Sequence, residues 1–189
     1  VAFAAARVGV PATIVMPRST PIAKVSATRG YGADVVLHGA IYDEAYARAC
    51  EIVAATGAEF IHPFDDEDVI AGQGTIALEL LSDLPLVDVV LVPAGGGGLV
   101  SGISACIKQI NPRIQVVGVQ SEGASAIVRS FGQTELRPAD FVHTIADGIA
   151  VKNPGTLTMS YINQYVDQMV TVSDAEIAEA ILLLLERTK

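Results

Sequence analysis

Residues 93–102 read PAGGGGLVSG, and that stretch decides the fold. Before it lies the apolar run VDVVLV, residues 87–92, and after it Leu99–Ile110 has helical spacing. Strand, glycine turn and helix in succession make one unit of a parallel α/β fold, because a parallel strand needs a crossover to bring the chain back. Glycine gives up more backbone freedom on folding than any other residue, so the run Gly95–Gly98 opposes folding unless something needs it. A tight left-handed turn would use a glycine or two, and the surplus points to an anion site. Amides at a helix N-terminus are unpaired, the helix dipole favours negative charge, and a backbone without Cβ lets a phosphate approach. Two common phosphate loops do not fit: a Walker A loop needs Gly-Lys-Ser/Thr where this chain has Gly98-Leu99-Val100. The dinucleotide fingerprint needs a third glycine or alanine where Val100 or Ser101 stands.

The same alternation extends outward. Apolar runs at Pro11–Met16, Ala33–Leu37, Glu59–His62, Val87–Val92 and Ile114–Val119 are separated by helix-like segments at Pro21–Arg29, Tyr42–Thr56, Asp68–Leu81, Leu99–Ile110 and Ala124–Phe131. This predicts an α/β fold with parallel sheets flanked by helices. Thr20 is expected to cap a helix whose first residue is Pro21, with Gly30 or Gly32 closing it and Gly57 closing the next. Ser173 and Glu176 have capping-box spacing ahead of IAEAILLLLER, residues 177–187. Val87–Val92, polar only at Asp88, is expected to be a central strand buried on both faces. The acidic seam HPFDDED, residues 62–68, is expected to supply carboxylates to helix N-termini and to mark a boundary. That gives a small domain over 1–64 with three parallel strands, and residues 65–189 as part of a larger one. The opening VAFAAARVG is already helical in character and the last helix runs into Lys189, so the chain reads as cut at both ends.

Bulk composition bounds the function. With 51% apolar and 17% charged residues the chain can bury a core. A net charge of −9 argues against nucleic acid or an anionic membrane as partner. No apolar run approaches the roughly 20 residues of a membrane span. No basic-led signal peptide is expected, and Cys50 and Cys106 lack CxxC spacing. These features are read as a cytoplasmic protein with reduced, buried thiols.

PAGGGGLVSG resembles the cofactor-phosphate loop of pyridoxal-phosphate enzymes of the tryptophan-synthase-like fold, fold type II. MPRSTPIAKVSATRGYGADVVLHG (16–39), HPFDDEDVIAGQGTIALELL (62–81), VGVQSEG (117–123) and TIADGIAVKNPG (144–155) carry the resemblance over essentially the whole chain. They narrow it to threonine dehydratases, also called threonine ammonia-lyases. The resemblance implies pyridoxal 5'-phosphate as cofactor, its phosphate held by the amides of Gly95, Gly96, Gly97, Gly98 and Leu99. It implies Gly148 beside the cofactor ring, where a side chain would collide; an ordinary turn glycine is the alternative. Around Gly74, flanked by Gln73 and Thr75, packing is the expected reason for glycine. Some serine racemases carry a cation site just after the strand matching Ile114–Val119, but Gln120 is neutral there, so no metal is expected.

The implied chemistry needs a lysine that forms a Schiff base with the cofactor, in a Ser-x-Lys-x-Arg motif followed by Ser-Gly-Asn-His, and a later serine-glycine segment. None is present in this chain. Of its four lysines, Lys24 and Lys108 read as helix-surface residues, Lys152 as a loop residue and Lys189 as terminal. His38 and His62 end apolar runs and His143 precedes a strand-like turn; each reads as structural or surface. No catalytic residue is therefore assigned within the chain, and no HExxH or nucleophile-elbow spacing offers another chemistry. The resemblance implies an amino-acid substrate, L-threonine or L-serine. It would lose its α-proton and β-hydroxyl and yield 2-oxobutanoate (from threonine) and ammonia, in a homo-oligomer. A serine racemase or serine dehydratase, or a catalytically silent anion-binding piece, are the alternatives.

Overall fold

In the computed structural model, which describes residues 1–188, the chain divides into two compact units, Val1–Ile61 and His62–Lys189. The first unit holds α1 (Ala2–Val8), β1 (Thr13–Met16), α2 (Ile22–Gly30), β2 (Asp34–Leu37) and α3 (Tyr42–Thr56). β1 and β2 pair in parallel, Thr13 opposite Asp34 through Met16 opposite Leu37, with α2 as the crossover. α3 packs on β1 and α2 on β2. Left-handed glycines end two of the helices: Gly9 at φ 71° after α1 and Gly57 at φ 71° after α3, whose amide donates to the Val53 carbonyl at 2.8 Å.

Three expectations for this unit need correction. The sheet has two strands, since residues 59–62 form no ladder. Four alternating residues offer few bonds to an edge. The chain bends away at His62, whose Nδ1 accepts the amides of Asp65 at 2.7 Å and Phe64 at 3.2 Å. Thr20 does not cap α2: Pro21 occupies the N-cap, so the helix begins one residue later than expected. Cys50 is exposed rather than buried, because it falls on the outer side of α3.

The second unit holds α4 (Glu67–Asp83), β3 (Val89–Pro93), α5 (Gly98–Ile110), β4 (Gln115–Ser121), α6 (Ala126–Ser130), α7 (Thr156–Tyr165), β5 (Gln168–Val172) and α8 (Asp174–Arg187). Its parallel sheet has the order β3-β4-β5, with Val90 opposite Val116 and Val119 opposite Val170. Val87–Val92 was expected to be central, but β3 lies at the edge and β4 takes the centre. β3 alternates accordingly: Val90 and Val92 are buried while Val89 is 46% and Leu91 67% exposed. An apolar run cannot announce strand order, and period-two geometry sends alternate residues to opposite faces.

The buried face meets α5, where Val100, Ile103 and Ile107 recur at helical spacing. Val116, Ile127, Met159 and Ile162 complete the core. Gly102 and Gly74 let α5 and α4 approach backbone to backbone: a Cβ on Gly102 would run into the Ile70 carbonyl and the Gly74 amide. The packing reason expected for Gly74 therefore holds. Thr75 turns its hydroxyl back to the Gly72 carbonyl at 2.8 Å. α8 starts with the expected capping box, Ser173 with Glu176. α7 and β5, absent from the sequence reading, follow a loop in which Ala139 donates to the Lys152 carbonyl at 2.9 Å.

Candidate functional site

The glycine run lies where β3 ends, at the C-terminal edge of the parallel sheet, which is where open α/β sheets gather ligands. Ala94 donates to the Val119 carbonyl at 2.8 Å, holding the start of the loop against β4. Gly97 then turns at φ 100° as the N-cap of α5. Packing demands glycine at every position. A Cβ on Gly95 would stand 2.9 Å from the Ile149 Cα, on Gly97 2.9 Å from the Thr158 Cβ, and on Gly98 2.9 Å from the Phe64 Cβ. On Gly96 it would enter the Phe64 ring. The expected surplus of glycine is thus no surplus, and the anion reading must stand on the amides.

The amides do carry it. Every carbonyl of the turn is engaged from within: Gly95 O accepts from Gln120 Nε2 at 3.4 Å, Gly96 O from Thr158 Oγ1 at 2.9 Å, and Gly97 O from the Ser101 amide at 2.9 Å. Among the described residues no acceptor meets the N–H groups of Gly95, Gly96, Gly97, Gly98 or Leu99. Gly96, Gly97 and Gly98 are buried. An unmet buried donor costs about 1–3 kcal/mol, and here a row of them opens a helix whose dipole adds positive potential. The donor set has no competing acceptor and fits a phosphate group.

The carboxylates of the neighbouring acidic seam are taken up as helix caps. Asp66 caps α4 through the Val69 amide at 3.0 Å. Asp65 reaches across the sequence to cap α7, accepting from the Thr156 amide at 3.1 Å and the Thr158 amide at 2.9 Å. The helix-capping use expected of the acidic seam is realised on two helices, one of them remote. Burial pulls the His62 imidazole below its ordinary value despite the opposing fields of Asp65 and Asp66. It acts as an acceptor for two amides, consistent with the structural part expected of it.

Gly148 lies in a single 3-10 turn, Asp147–Ile149, next to the residue that touches Gly95. A Cβ there would meet nothing within 4 Å, so the chain's own packing does not require glycine. The turn is anchored from the ends of β4 and β5. Asp174 accepts from Thr144 Oγ1 at 2.6 Å and the Ile145 amide at 3.0 Å, and Ser121 Oγ donates to Thr144 at 2.8 Å. The Thr144 hydroxyl, then the Ile145 amide and Ser121, hold the Asp174 carboxyl below its ordinary value.

Gln120, neutral where a cation would want a carboxylate, is fully buried, with its Oε1 accepting the Ile127 and Val128 amides at 3.0 and 3.1 Å. It joins α6 to the glycine turn. Among the lysines, Lys108 is no surface residue. Its side chain is 15% exposed, and its ammonium donates to the Ile114 carbonyl and pairs with Asp167 at 2.7 Å. Its aliphatic stem reaches past the helix end to the Pro112 and Ile114 carbonyls at 3.3 and 2.8 Å, which helical spacing could not show. Lys24 is on α2, Lys152 is exposed in a loop, and Lys189 lies outside the described residues. Sequence reasoning missed Phe64, Asp65 and Thr158 as parts of the site, since their partners lie far away in sequence.

Comparison with known proteins gives the family and the fold. The chain is 53% identical to an L-threonine ammonia-lyase of Thermotoga maritima over all of this chain and 47% of that protein. It superposes on the processed form of threonine deaminase isoform 2 from Solanum lycopersicum with a TM-score of 0.90 and 39% identity, covering all of this chain and 55% of that one. Maize serine racemase gives a TM-score of 0.90 at 34% identity, covering 98% of this chain and 56% of that one. The chain therefore spans about half the length of these relatives, and its fold is that of fold type II. With a model of pyridoxal-phosphate dependent enzymes matching residues 1–189, the chain belongs to that family.

Proposed function

We propose that this chain is the phosphate-holding core of an L-threonine (L-serine) ammonia-lyase that releases 2-oxobutanoate (from threonine) and ammonia. The observation that carries the cofactor half is the row of acceptorless amides at Gly95–Leu99, ahead of a 13-residue helix. The substrate half rests on whole-length similarity to threonine ammonia-lyase. When bound, pyridoxal phosphate supplies an electron-withdrawing ring that acidifies the α-C–H of the amino acid. Gly95–Leu99 would hold the phosphate, α5 would contribute its positive end, and Gly148, where a Cβ would meet nothing within 4 Å, would leave room for the group. Phe64 walls the loop on one side and limits water there. The lysine that binds the cofactor is proposed to lie outside these 189 residues, because none of Lys24, Lys108, Lys152 and Lys189 stands in a Ser-x-Lys-x-Arg motif, and Lys108 is committed to Asp167 and to backbone carbonyls. We extend the same reading, on the resemblance alone, to a cytoplasmic homo-oligomer.

The test is product analysis on the full-length gene product with L-threonine and L-serine. Stoichiometric 2-oxobutanoate and ammonia from threonine are expected. D-serine without any 2-oxo acid would replace the lyase by a racemase. Cofactor reduced onto Lys24, Lys108 or Lys152 by borohydride would contradict the placement of the reactive lysine.

A further inference from the structure

We propose that Thr158 is a positioning residue for cofactor binding, its hydroxyl aiming the Gly97 amide into the phosphate cradle. The proposal rests on the reading of Gly95–Leu99 as that cradle. In a trans peptide the C=O and N–H of one unit point in opposite directions, so whatever holds the Gly96 carbonyl also sets the Gly97 N–H. Thr158 Oγ1 holds that carbonyl at 2.9 Å from the first turn of α7. The side chain is completely buried and each of its polar groups is committed. Its amide donates to Asp65 Oδ1 at 2.9 Å, its own carbonyl accepts from Ser101 Oγ at 3.1 Å, and its hydroxyl has Gly155 O as a second, longer acceptor at 3.2 Å. Thr158 thus fastens together the segment entering α4, the buried side of α5 and the turn between β3 and α5.

Neighbours pack against the turn and the Ser101 amide holds the Gly97 carbonyl at 2.9 Å, but only Thr158 holds the carbonyl of the Gly96–Gly97 peptide. Glycine has the widest torsional freedom, Gly97 sits at φ 100°, and the neighbouring carbonyl of Gly95 has only the 3.4 Å contact from Gln120. Removing the Thr158 hydroxyl while keeping its shape frees the Gly96–Gly97 peptide to rotate. A rotated peptide presents a carbonyl oxygen, not an N–H, to an incoming anion.

The experiment compares Thr158→Val, Thr158→Ser and Gly96→Asp in the full-length gene product. It measures the affinity of the apoprotein for pyridoxal phosphate and for pyridoxal, which lacks the phosphate, and the ³¹P resonance of bound cofactor. Thr158→Val should weaken pyridoxal phosphate about tenfold, the scale of one hydrogen bond, and shift the ³¹P signal. It should leave pyridoxal affinity unchanged, and Thr158→Ser should restore both. A Thr158→Val protein within twofold of wild type for pyridoxal phosphate, or one losing both ligands in equal proportion, overturns the proposal. Should the valine variant fail to fold, Thr158→Cys, a weaker donor, is expected to give a partial loss in the same direction, and wild-type affinity there overturns it equally. Gly96→Asp separates the two levels. If it leaves phosphate-dependent affinity intact, the cradle reading itself fails; if it abolishes that affinity while Thr158→Val does not, only the positioning role fails.

Discussion

The two units show how unequally one alternating pattern can be used. In Val1–Ile61 it yields a two-stranded sheet whose few buried apolar residues include Val25, Ala33 and Ala45. In His62–Lys189 it yields a three-stranded sheet over a continuous core running from Ala77 on α4 to Val166. Two strands are marginal alone, whereas three with a covered apolar face can sustain a rigid loop at their ends. The glycine turn, with its unmet donors, belongs to the unit that can bear them. Strain or unsatisfied groups persist only where the surroundings hold them in place.

The largest expected effect breaks that comparison directly. Val90→Asp would bury an unpaired carboxylate between β4 and α5, a penalty comparable with the whole stability of a domain, about 5–15 kcal/mol. The protein should lose cooperative urea unfolding followed by circular dichroism. Val36→Asp, on half-buried β2, should lower the midpoint without abolishing the transition. A folded Val90→Asp protein, or the reverse ranking, would show that the core has been assigned to the wrong unit.

A second pair sharpens the account of the α4–α5 contact. Gly102→Ala should cost about 1–3 kcal/mol, because its Cβ would press on the Ile70 carbonyl and the Gly74 amide. Gly72→Ala, within α4 but with nothing within 4 Å, should stabilise by about 0.5–1 kcal/mol. Equal effects from the two alanines in urea titrations would sink the close-approach argument.

The smallest effect depends on pH. Burial alone would raise the Asp167 carboxyl, but the Lys108 ammonium and the Val116 amide at 2.7 Å outweigh it and hold the group below its ordinary value. A carboxyl lowered by folding stabilises above its ordinary range, near 3.9, and that gain is lost as pH falls through the folded value. Wild type should therefore exceed Asp167→Asn by at most about 1 kcal/mol at neutral pH, since the pair is partly open to solvent. The gap should close in acid below that range. A gap that widens in acid would contradict the sign.

Much of this was legible in the sequence because it is local. The strand-turn-helix at 87–110, the capping box at Ser173 and the left-handed stop at Gly57 each depend on a few adjacent residues. What failed depended on partners far along the chain. The edge position of β3 follows from β4 pairing on both sides, which an apolar run cannot encode. Asp65 was legible as a helix cap, but its helix lies 91 residues away. Lys108 looked exposed by helical spacing, yet the carbonyls past the end of α5 draw it inward. The glycine run pointed to the proposed phosphate site for an incomplete reason: neighbours alone forbid a Cβ at each position, and the unmet amides carry the proposal.

Hydrogen exchange at those amides is the most direct check. In the full-length gene product, exchange of the backbone across residues 93–102 is to be followed with and without pyridoxal phosphate. Marked slowing at Gly95–Leu99, reproduced in part by inorganic phosphate, is the expected result. Slowing confined to other segments, with these five amides unchanged on saturation with the cofactor, would contradict the claim that they hold its phosphate.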